Sequence, residues 1–273
     1  MKNKLTLLLF TFSYFFVCNT ILAQKTYHKM YIYWGWNRAS YTNSDIHFKG
    51  NSYDFTLSNV VAKDRQTPFG FDPYFHPLKI TIPQTNFRIG YALTENWDIS
   101  LGADHMKYIM VQNQIAKING TISNSNSVYN KTYINENLPL TEDFLTFEHT
   151  DGLNYLNLEL RRNFQIKKLS EWTSQHLALN LMVGGGGGML VPKSNVKLLE
   201  NERNDEFHIA GWGVSPMAGC NLTFWKYFFL QSEYKFGYIN MPSIRTTKYS
   251  SDSASQQFFF HQVNIMFGFN FFI

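Results

Sequence analysis

Long segments in which apolar and polar residues alternate restrict the fold of this chain more than any other feature. Strict alternation is typical of a β-strand whose two faces meet different environments. Between Leu156 and Arg161, for example, the sequence runs Leu-Asn-Leu-Glu-Leu-Arg. Most of these segments have about 10–15 residues, which is long for an ordinary strand but suits a tilted membrane strand of about 9–11 residues. The pattern predicts eight strands, near residues 30–39, 83–93, 96–109, 153–164, 175–190, 207–223, 226–240 and 259–272.

The connections between these strands alternate between short and long. Tight turns are predicted at Thr94-Glu95 and near Trp225, and a medium one at 165–174. Up-and-down outer-membrane barrels have short turns at one end and longer loops at the other. An even number of strands then places both chain ends on the side of the short turns. The predicted outer loops are 40–82 and 110–152, followed by 191–206 and 241–258.

The two faces of the predicted strands argue against a soluble sandwich, which would bury its apolar faces and turn its charges to water. In a membrane the apolar face meets lipid and the polar face lines the interior. The sheet must then close, because every backbone group in hydrocarbon needs a partner. Eight strands leave an interior just wide enough for side chains, so we expect its charges to neutralise one another in a packed polar network. The residues predicted in this network are Arg88, Asp98, Asp104, Glu159, Arg161, Glu233 and Lys235.

The fold predicted from these patterns is all-β: a single eight-stranded antiparallel up-and-down transmembrane β-barrel. A ten-stranded barrel is the alternative, and it requires residues 52–62 to cross the membrane together with 114–122 or 128–135. Aromatic side chains are expected in girdles at the two membrane interfaces. The candidates for these girdles are Tyr31, Tyr33, Trp34, Trp36, Trp97, Trp212, Trp225 and Tyr238.

The N-terminus has the pattern of a secretory signal peptide. Lys2 and Lys4 precede an apolar stretch, and Ile21-Leu22-Ala23 ends on a small residue, as a cleavage site requires. We expect a signal peptide at 1–23 and an exported domain at 24–273. Since that domain keeps only Cys220, no internal disulfide is expected. A formal charge of +4 over 273 residues is too small to indicate a nucleic-acid partner.

The final strand contains Gly268-Phe269-Asn270-Phe271 near its end. This resembles the C-terminal insertion signal of bacterial outer-membrane barrels, although two residues follow the aromatic on which that signal usually stops. In architecture the chain is similar to small OmpA/OmpX-type barrels. The resemblance implies a Gram-negative outer membrane, assembly by the outer-membrane insertion machinery, and contact with membrane lipid and lipopolysaccharide. The composition, rich in Asn, Tyr, Phe and Lys, is similar to that of Bacteroidota proteins.

Residues with catalytic potential are few, and none is assigned a role. Asp104 is expected to point inward and His105 outward, toward lipid in the outer leaflet, with His47 in the first long loop as a further candidate. These residues leave open a lipid A-modifying enzyme, a deacylase or acyltransferase, but no nucleophile motif accompanies them. No cofactor or metal is expected, because no histidines have a metal-binding spacing. The glycine run 184–188 lacks the Lys-Ser/Thr of a phosphate loop, and we expect it to make room for bulky neighbours.

The role predicted from the sequence is structural or interactive: a membrane scaffold that presents two long outer loops to a surface protein or a glycan. A lipid A-modifying enzyme and a narrow channel remain the alternatives. In the first loop, the aromatic and proline-rich stretch from Thr67 to Pro77 has the character of a contact surface for sugar, lipid headgroups or protein. The alternative is that the barrel strands extend above the membrane and the loop packs on them. In the second, Asn119-Gly120 is predicted to form a hairpin turn.

Overall fold

The computed structural model describes residues 29–79, 82–123, 125, 127–166, 176–199 and 201–273. The predicted signal peptide and most of the predicted turn 165–174 lie outside the described residues. Among the residues that the structure describes, the fold is all-β, with two short helical elements, α1 (Phe71–Tyr74) and a 3-10 turn (Pro77–Lys79). Neither helical element in the described part of the chain has the length and apolar character needed to cross a membrane.

Fifteen strands lie in the described residues. They are β1 (Lys29–Tyr41), β2 (Ser44–Gly50), β3 (Tyr53–Val60), β4 (Ala62–Lys63), β5 (Thr85–Ala92), β6 (Trp97–Met110), β7 (Ile115–Ile122), β8 (Lys131–Pro139), β9 (Leu145–Gln165), β10 (Leu177–Leu190), β11 (Lys193–Leu198), β12 (Asn204–Phe207), β13 (Gly211–Phe224), β14 (Phe228–Arg245) and β15 (Ser253–Phe272).

Eight of these strands form a closed antiparallel ring in the order β1-β5-β6-β9-β10-β13-β14-β15. The ring closes because β1 pairs with β5 on one side and with β15 on the other. Tyr33, for example, lies opposite Arg88 in β5 and Gly268 in β15. The prediction of eight ring strands is confirmed. The segments that the ten-strand alternative required do form strands β3, β7 and β8, but they lie outside the ring.

The predicted outer loops contain further sheet. Strand β15 leaves β1 at Phe260 and continues upward against β2, to which β3, β7 and β8 are added in turn. The description of 40–82 and 110–152 as loops was therefore wrong. The hairpin turn at Asn119-Gly120 was also wrong, because both residues lie inside β7. A register shift between Ile118 and Gly120, where φ of Gly120 is +130°, makes this site a bulge.

The ring interior consists of two layers of opposite polarity. We call the end with the turns 93–96 and 225–227 the lower end, and the end with the added strands the upper end. Inward side chains in the lower half are mostly polar, with a small apolar cluster that contains Phe229 and Met266, whereas a large apolar cluster fills the upper half. On successive ring strands the last polar and first apolar inward residues are Asp104 and Met106 in β6, Asn157 and Tyr155 in β9, Lys235 and Ile239 in β14, and Gln262 and Phe260 in β15.

The outward face reverses in the opposite sense at the same level. In β9, Leu156, Leu158 and Leu160 face outward in the lower half, while Thr146 and Glu148 face outward in the upper half. In β15 the outward residues are apolar from Val263 to Phe271 and polar from Ser253 to Gln257. A single strand thus passes through two environments. In the lower half its outward side chains are apolar and its inward side chains are mostly polar. In the upper half its outward side chains are polar and its inward side chains are apolar.

Candidate functional site

The lower interior is built around the carboxylate of Glu159, which contacts three cations. Its Oε1 lies 2.8 Å from an Arg88 nitrogen and 2.7 Å from Lys235 Nζ, and its Oε2 lies 2.6 Å from Arg161. These four residues come from β5, β9 and β14, so the contacts cross the interior of the ring. Inward side chains from three ring strands thus meet at one carboxylate.

Two further carboxylates complete the charge balance. Asp104 lies 2.7 Å from Lys235 Nζ, and Glu233 lies 3.0 Å from Arg161. The six side chains, three cations and three anions, are at most 2% exposed. Breaking a buried pair of this kind leaves an uncompensated charge. The three cations and three carboxylates must therefore all be present for the interior to pack in this way. We call this set the ion-pair network: Arg88, Asp104, Glu159, Arg161, Glu233 and Lys235.

Neutral side chains that the sequence analysis did not assign to the interior bind the network together. Arg88 and Arg161 both donate to the hydroxyl of Tyr33, at 3.0 and 2.6 Å. Arg88 also donates to Asn157 at 2.6 Å, and Asn157 donates to Asp104 at 3.2 Å. The placement of Tyr31 and Tyr33 in an aromatic girdle was wrong, because both side chains are buried inside. Their alternation with outward Trp34 was the available signal for the interior position.

Asp98 is separate from the network, although the sequence placed it there. Its carboxylate accepts hydrogen bonds from Tyr31 at 2.5 Å and from Asn163 at 2.7 Å, and no ion pair within 4 Å joins it to the described charges. It lies toward the lower end, six residues before Asp104 on the same face of β6. The lower interior therefore continues below the network as a hydrogen-bonded region around Asp98.

The glycine run of β10 provides space for the network. Gly184, Gly186 and Gly188 point inward against β9, opposite Arg161, Glu159 and Asn157. A Cβ at Gly186 would overlap the carbonyl oxygen of Leu158 and lie 2.6 Å from Cγ of Glu159, closer than real contacts allow. The expected role of the run, room for bulky neighbours, matches this geometry.

The three residues considered for catalysis do not come together. Asp104 points inward to Lys235. His105 is only 8% exposed, and its Nδ1 lies 2.8 Å from Asn154 on β9, so the expectation of a lipid-facing histidine was wrong. Two residues further along β6, Lys107 reaches the carbonyl of Ile82, so the chain near Ile82 lies against this face of the strand.

His47 belongs to a different environment from Asp104 and His105. It lies on β2, where it contacts Asp54 at 2.8 Å beside a polar groove of about 590 Å³ on the outer wall. Among the described residues, no three His, Cys, Asp or Glu side chains come close enough to hold a metal ion. The groove is lined by Asn43, Ser44, Asp45, His47, Thr56, Asn59, Asn240, Pro242, Ser255, Gln256 and Gln257.

The comparisons with known proteins found similarity to solved structures only. No family model and no curated protein matches the sequence. Ail, the attachment invasion locus protein of Yersinia pestis, is 10% identical with a TM-score of 0.35, over 90% of this chain and 100% of that one. The outer membrane protein OprG from Pseudomonas aeruginosa is 9% identical with a TM-score of 0.36, over 91% and 98%. Because these TM-scores lie below 0.5, the functional argument below depends on the residues of this chain alone.

Proposed function

We propose that this protein is an integral outer-membrane β-barrel whose lower half spans the bilayer and whose upper half is a rigid surface platform. The polarity reversal along the ring strands carries this proposal. In the lower half the outward face is apolar, the closed ring pairs its backbone groups, and the interior charges are neutralised. These are the conditions that hydrocarbon imposes on a β-structure.

The height of the apolar band suits a bilayer. From Val263 to Phe271 the outward positions of β15 are apolar, which at about 3.3 Å per residue and a tilt of about 40° corresponds to roughly 20 Å. Aromatic side chains extend the band at both edges, with Trp212 and Tyr238 above and Trp225 and Tyr227 below. The total approaches the outer-membrane value of about 25 Å. Phe269 and Phe271 of the C-terminal signal face outward in this band, as insertion requires.

The upper half supports a role in surface interaction rather than in conduction or catalysis. Its apolar core packs strands β2, β3 and β7 into the same unit as the ring, so the outer segments are held rigidly. The ion-pair network fills the cross-section below it, which is unfavourable for a channel. The separation of His47, Asp104 and His105 is unfavourable for lipid A chemistry. An exported protein with this platform is suited to an extracellular protein or glycan, and the polar groove beside His47 is the available contact surface.

Two arginine substitutions on one strand test the membrane position. Leu158 and Thr146 both face outward in β9, the first in the apolar band and the second above it. Leu158→Arg is expected to destabilise the protein folded in phosphatidylcholine vesicles by about 2–4 kcal/mol. Thr146→Arg is expected to change it by less than about 0.5 kcal/mol, as a surface substitution does. Urea titration of the vesicle-inserted proteins measures both values. Equal effects, or a neutral Leu158→Arg, would exclude a lipid-facing band.

A further inference from the structure

Residues 64–84, here called the wall segment, lie across the outside of the ring; residues 80 and 81 are not among those described. Both ends of the segment are tied to the upper part of β1. The carboxylate of Asp64 accepts a hydrogen bond from the backbone N–H of Ala39 at 2.9 Å and another from the side chain of Gln84. The carbonyl of Gln84 accepts one from the N–H of Asn37 at 3.1 Å. The wall segment is thus held at the level where the outward face of β1 changes polarity.

Aromatic contacts attach the wall segment to the apolar band. Trp36 is the uppermost apolar outward residue of β1, followed by Arg38. Its ring centroid lies 5.7 Å from Tyr74 and 5.1 Å from Phe75 of the segment, and 5.9 Å from Phe267 of β15. The apolar surface of the ring therefore continues without a break onto the segment.

The side of the wall segment that faces away from the ring is strongly apolar. Leu78 is 90% exposed, Phe71 80% and Phe69 73%, and Ile82 is also exposed. Monomeric proteins rarely leave several large apolar side chains together in water, and such a patch marks a contact surface. Removing these side chains from water is favourable.

Several polar groups in the described part of the wall segment have partners within the segment. The hydroxyl of Tyr74 donates to the carbonyl of Thr67 at 2.7 Å, and the Thr67 hydroxyl donates to the carbonyl of Ile82 at 3.0 Å. Lys79 pairs with Asp72 at 2.8 Å. A segment with its polar groups satisfied in this way can enter a poorly hydrated region at low cost.

We propose that the wall segment is an interfacial anchor whose exposed face lies in the outer leaflet of the membrane. The inference rests on the proposed membrane position of the ring. Continuity with the apolar band through Trp36 identifies lipid as the occupant, because the segment adjoins the band at its upper edge. Side chains of an interfacial segment enter the boundary of the headgroups and acyl chains by about 5–10 Å.

Spin labels on single cysteines test the anchor. In a background with Cys18 and Cys220 replaced by alanine, a nitroxide is attached at Leu78→Cys, and separately at Phe71→Cys, in vesicles of dioleoylphosphatidylcholine. Leu158→Cys serves as the band control and Val128→Cys, 92% exposed near the β7–β8 turn, as the water control. Collisions with oxygen, which concentrates in hydrocarbon, are compared with collisions with a water-soluble nickel chelate. Labels on the segment are expected at a depth of about 5–10 Å, between the two controls.

The controls separate failure of the anchor from failure of the membrane position. If the Leu158 label lies in hydrocarbon while both segment labels behave like the Val128 label, the anchor is wrong and the membrane position stands. If the Leu158 label is also in water, both proposals fail. If the segment labels are shielded from oxygen and nickel alike, protein covers the patch, and a second copy or a partner replaces lipid as its occupant. Because Leu78 and Phe71 are exposed, their labels leave the packing of the ring intact.

Discussion

Glu159 connects more charges than any other residue of the lower interior. Its two oxygens contact Arg88, Arg161 and Lys235, while Asp104 and Glu233 each serve one of these cations at close range. Three cations and three carboxylates balance only as a complete set. The loss of Glu159 would leave one positive charge in excess in a region with almost no contact with water.

Glu159→Gln is therefore expected to destabilise the folded protein by about 3–5 kcal/mol, the cost of breaking a buried ion pair. The matched control is Glu136→Gln on β8, where Glu136 pairs with Lys131 on the exposed surface. Surface pairs contribute about 0–1 kcal/mol, so the control is expected to lie in that range. Urea unfolding of the protein in vesicles measures both. Similar losses for the two variants would contradict a central role for Glu159.

At the level of single strands, the alternation of residues predicted the lower half of the ring well and the upper half poorly. The predicted start of the fourth strand at 153 and the predicted end of the seventh at 240 differ from β9, which begins at Leu145, and β14, which ends at Arg245. Both errors fall near the level where polarity reverses. The prediction assumed that the apolar residues of each strand face outward along its whole length. The predicted strand therefore ends where the apolar residues move from the outer face to the inner face.

The strands β3, β7 and β8 entered the prediction only as ring strands of the ten-strand alternative, and their true position was not predicted for a second reason. Alternation from Tyr53 to Leu57 was visible in the sequence, but the partners of β3 are β2 and β7, and the latter lies about 60 residues away. The pairing of β3 with β7 leaves no signal in the sequence near β3. Likewise, the inward position of Arg88 and Glu159 followed from alternation, whereas the central position of Glu159 depends on strands that the chain brings together only on closure.

Strand β10 provides a direct test of the space that the network requires. Gly186 points inward to Glu159, whereas Gly187 points outward, where a Cβ would lie 3.3 Å from the carbonyl of Gly213 and 3.4 Å from Val214. Gly186→Ala is expected to cost about 1–3 kcal/mol through overpacking. Gly187→Ala is expected to be neutral or to stabilise by up to about 1 kcal/mol, because it restricts the unfolded chain.

Unfolding of the two glycine variants in vesicles of the same lipid gives the comparison. Both substitutions add one methyl group to adjacent residues of one strand, so differences in strand propensity cancel. Equal changes in the free energy of unfolding, or a larger loss for Gly187→Ala, would show that inward space on β10 is not limiting.

For the molecule as a whole, one closed ring joins two layers with opposite requirements. In the lower layer the charges are buried as a balanced set of ion pairs, so the loss of one charge leaves another unpaired. The upper layer excludes charge, because Phe48, Phe55, Phe147 and Phe258 pack in a dry core. The strands pass through both layers, so the upper platform is continuous with the lower half of the ring.

The apolar core of the upper layer encloses His149, a residue type whose pKa in water is about 6.5. His149 is fully buried, with ring centroids 5.6 Å from Tyr108 and 5.1 Å from Phe147. Its Nδ1 lies 3.0 Å from the hydroxyl of Ser194. Burial lowers the pKa of His149 from 6.5 to about 3, because desolvation penalises the charged imidazolium. The neighbouring Tyr108 hydroxyl, whose pKa burial raises to about 12, stays neutral throughout the acidic range.

Acid is therefore expected to weaken the upper layer through His149. The folded-state pKa lies below the unfolded value, so the contribution of the neutral ring is fully present above pH 6.5 and is lost as pH falls toward 3. Between pH 7.5 and 4.5 the wild-type protein should lose about 2–3 kcal/mol more than the double variant His149→Leu, Ser194→Ala, at about 1.4 kcal/mol per pH unit below 6.5. Unfolding in urea at the two pH values measures the difference, and general effects of acid on surface carboxylates are common to both proteins. Parallel losses would show that His149 is hydrated or paired in the folded state, which would contradict a dry upper core.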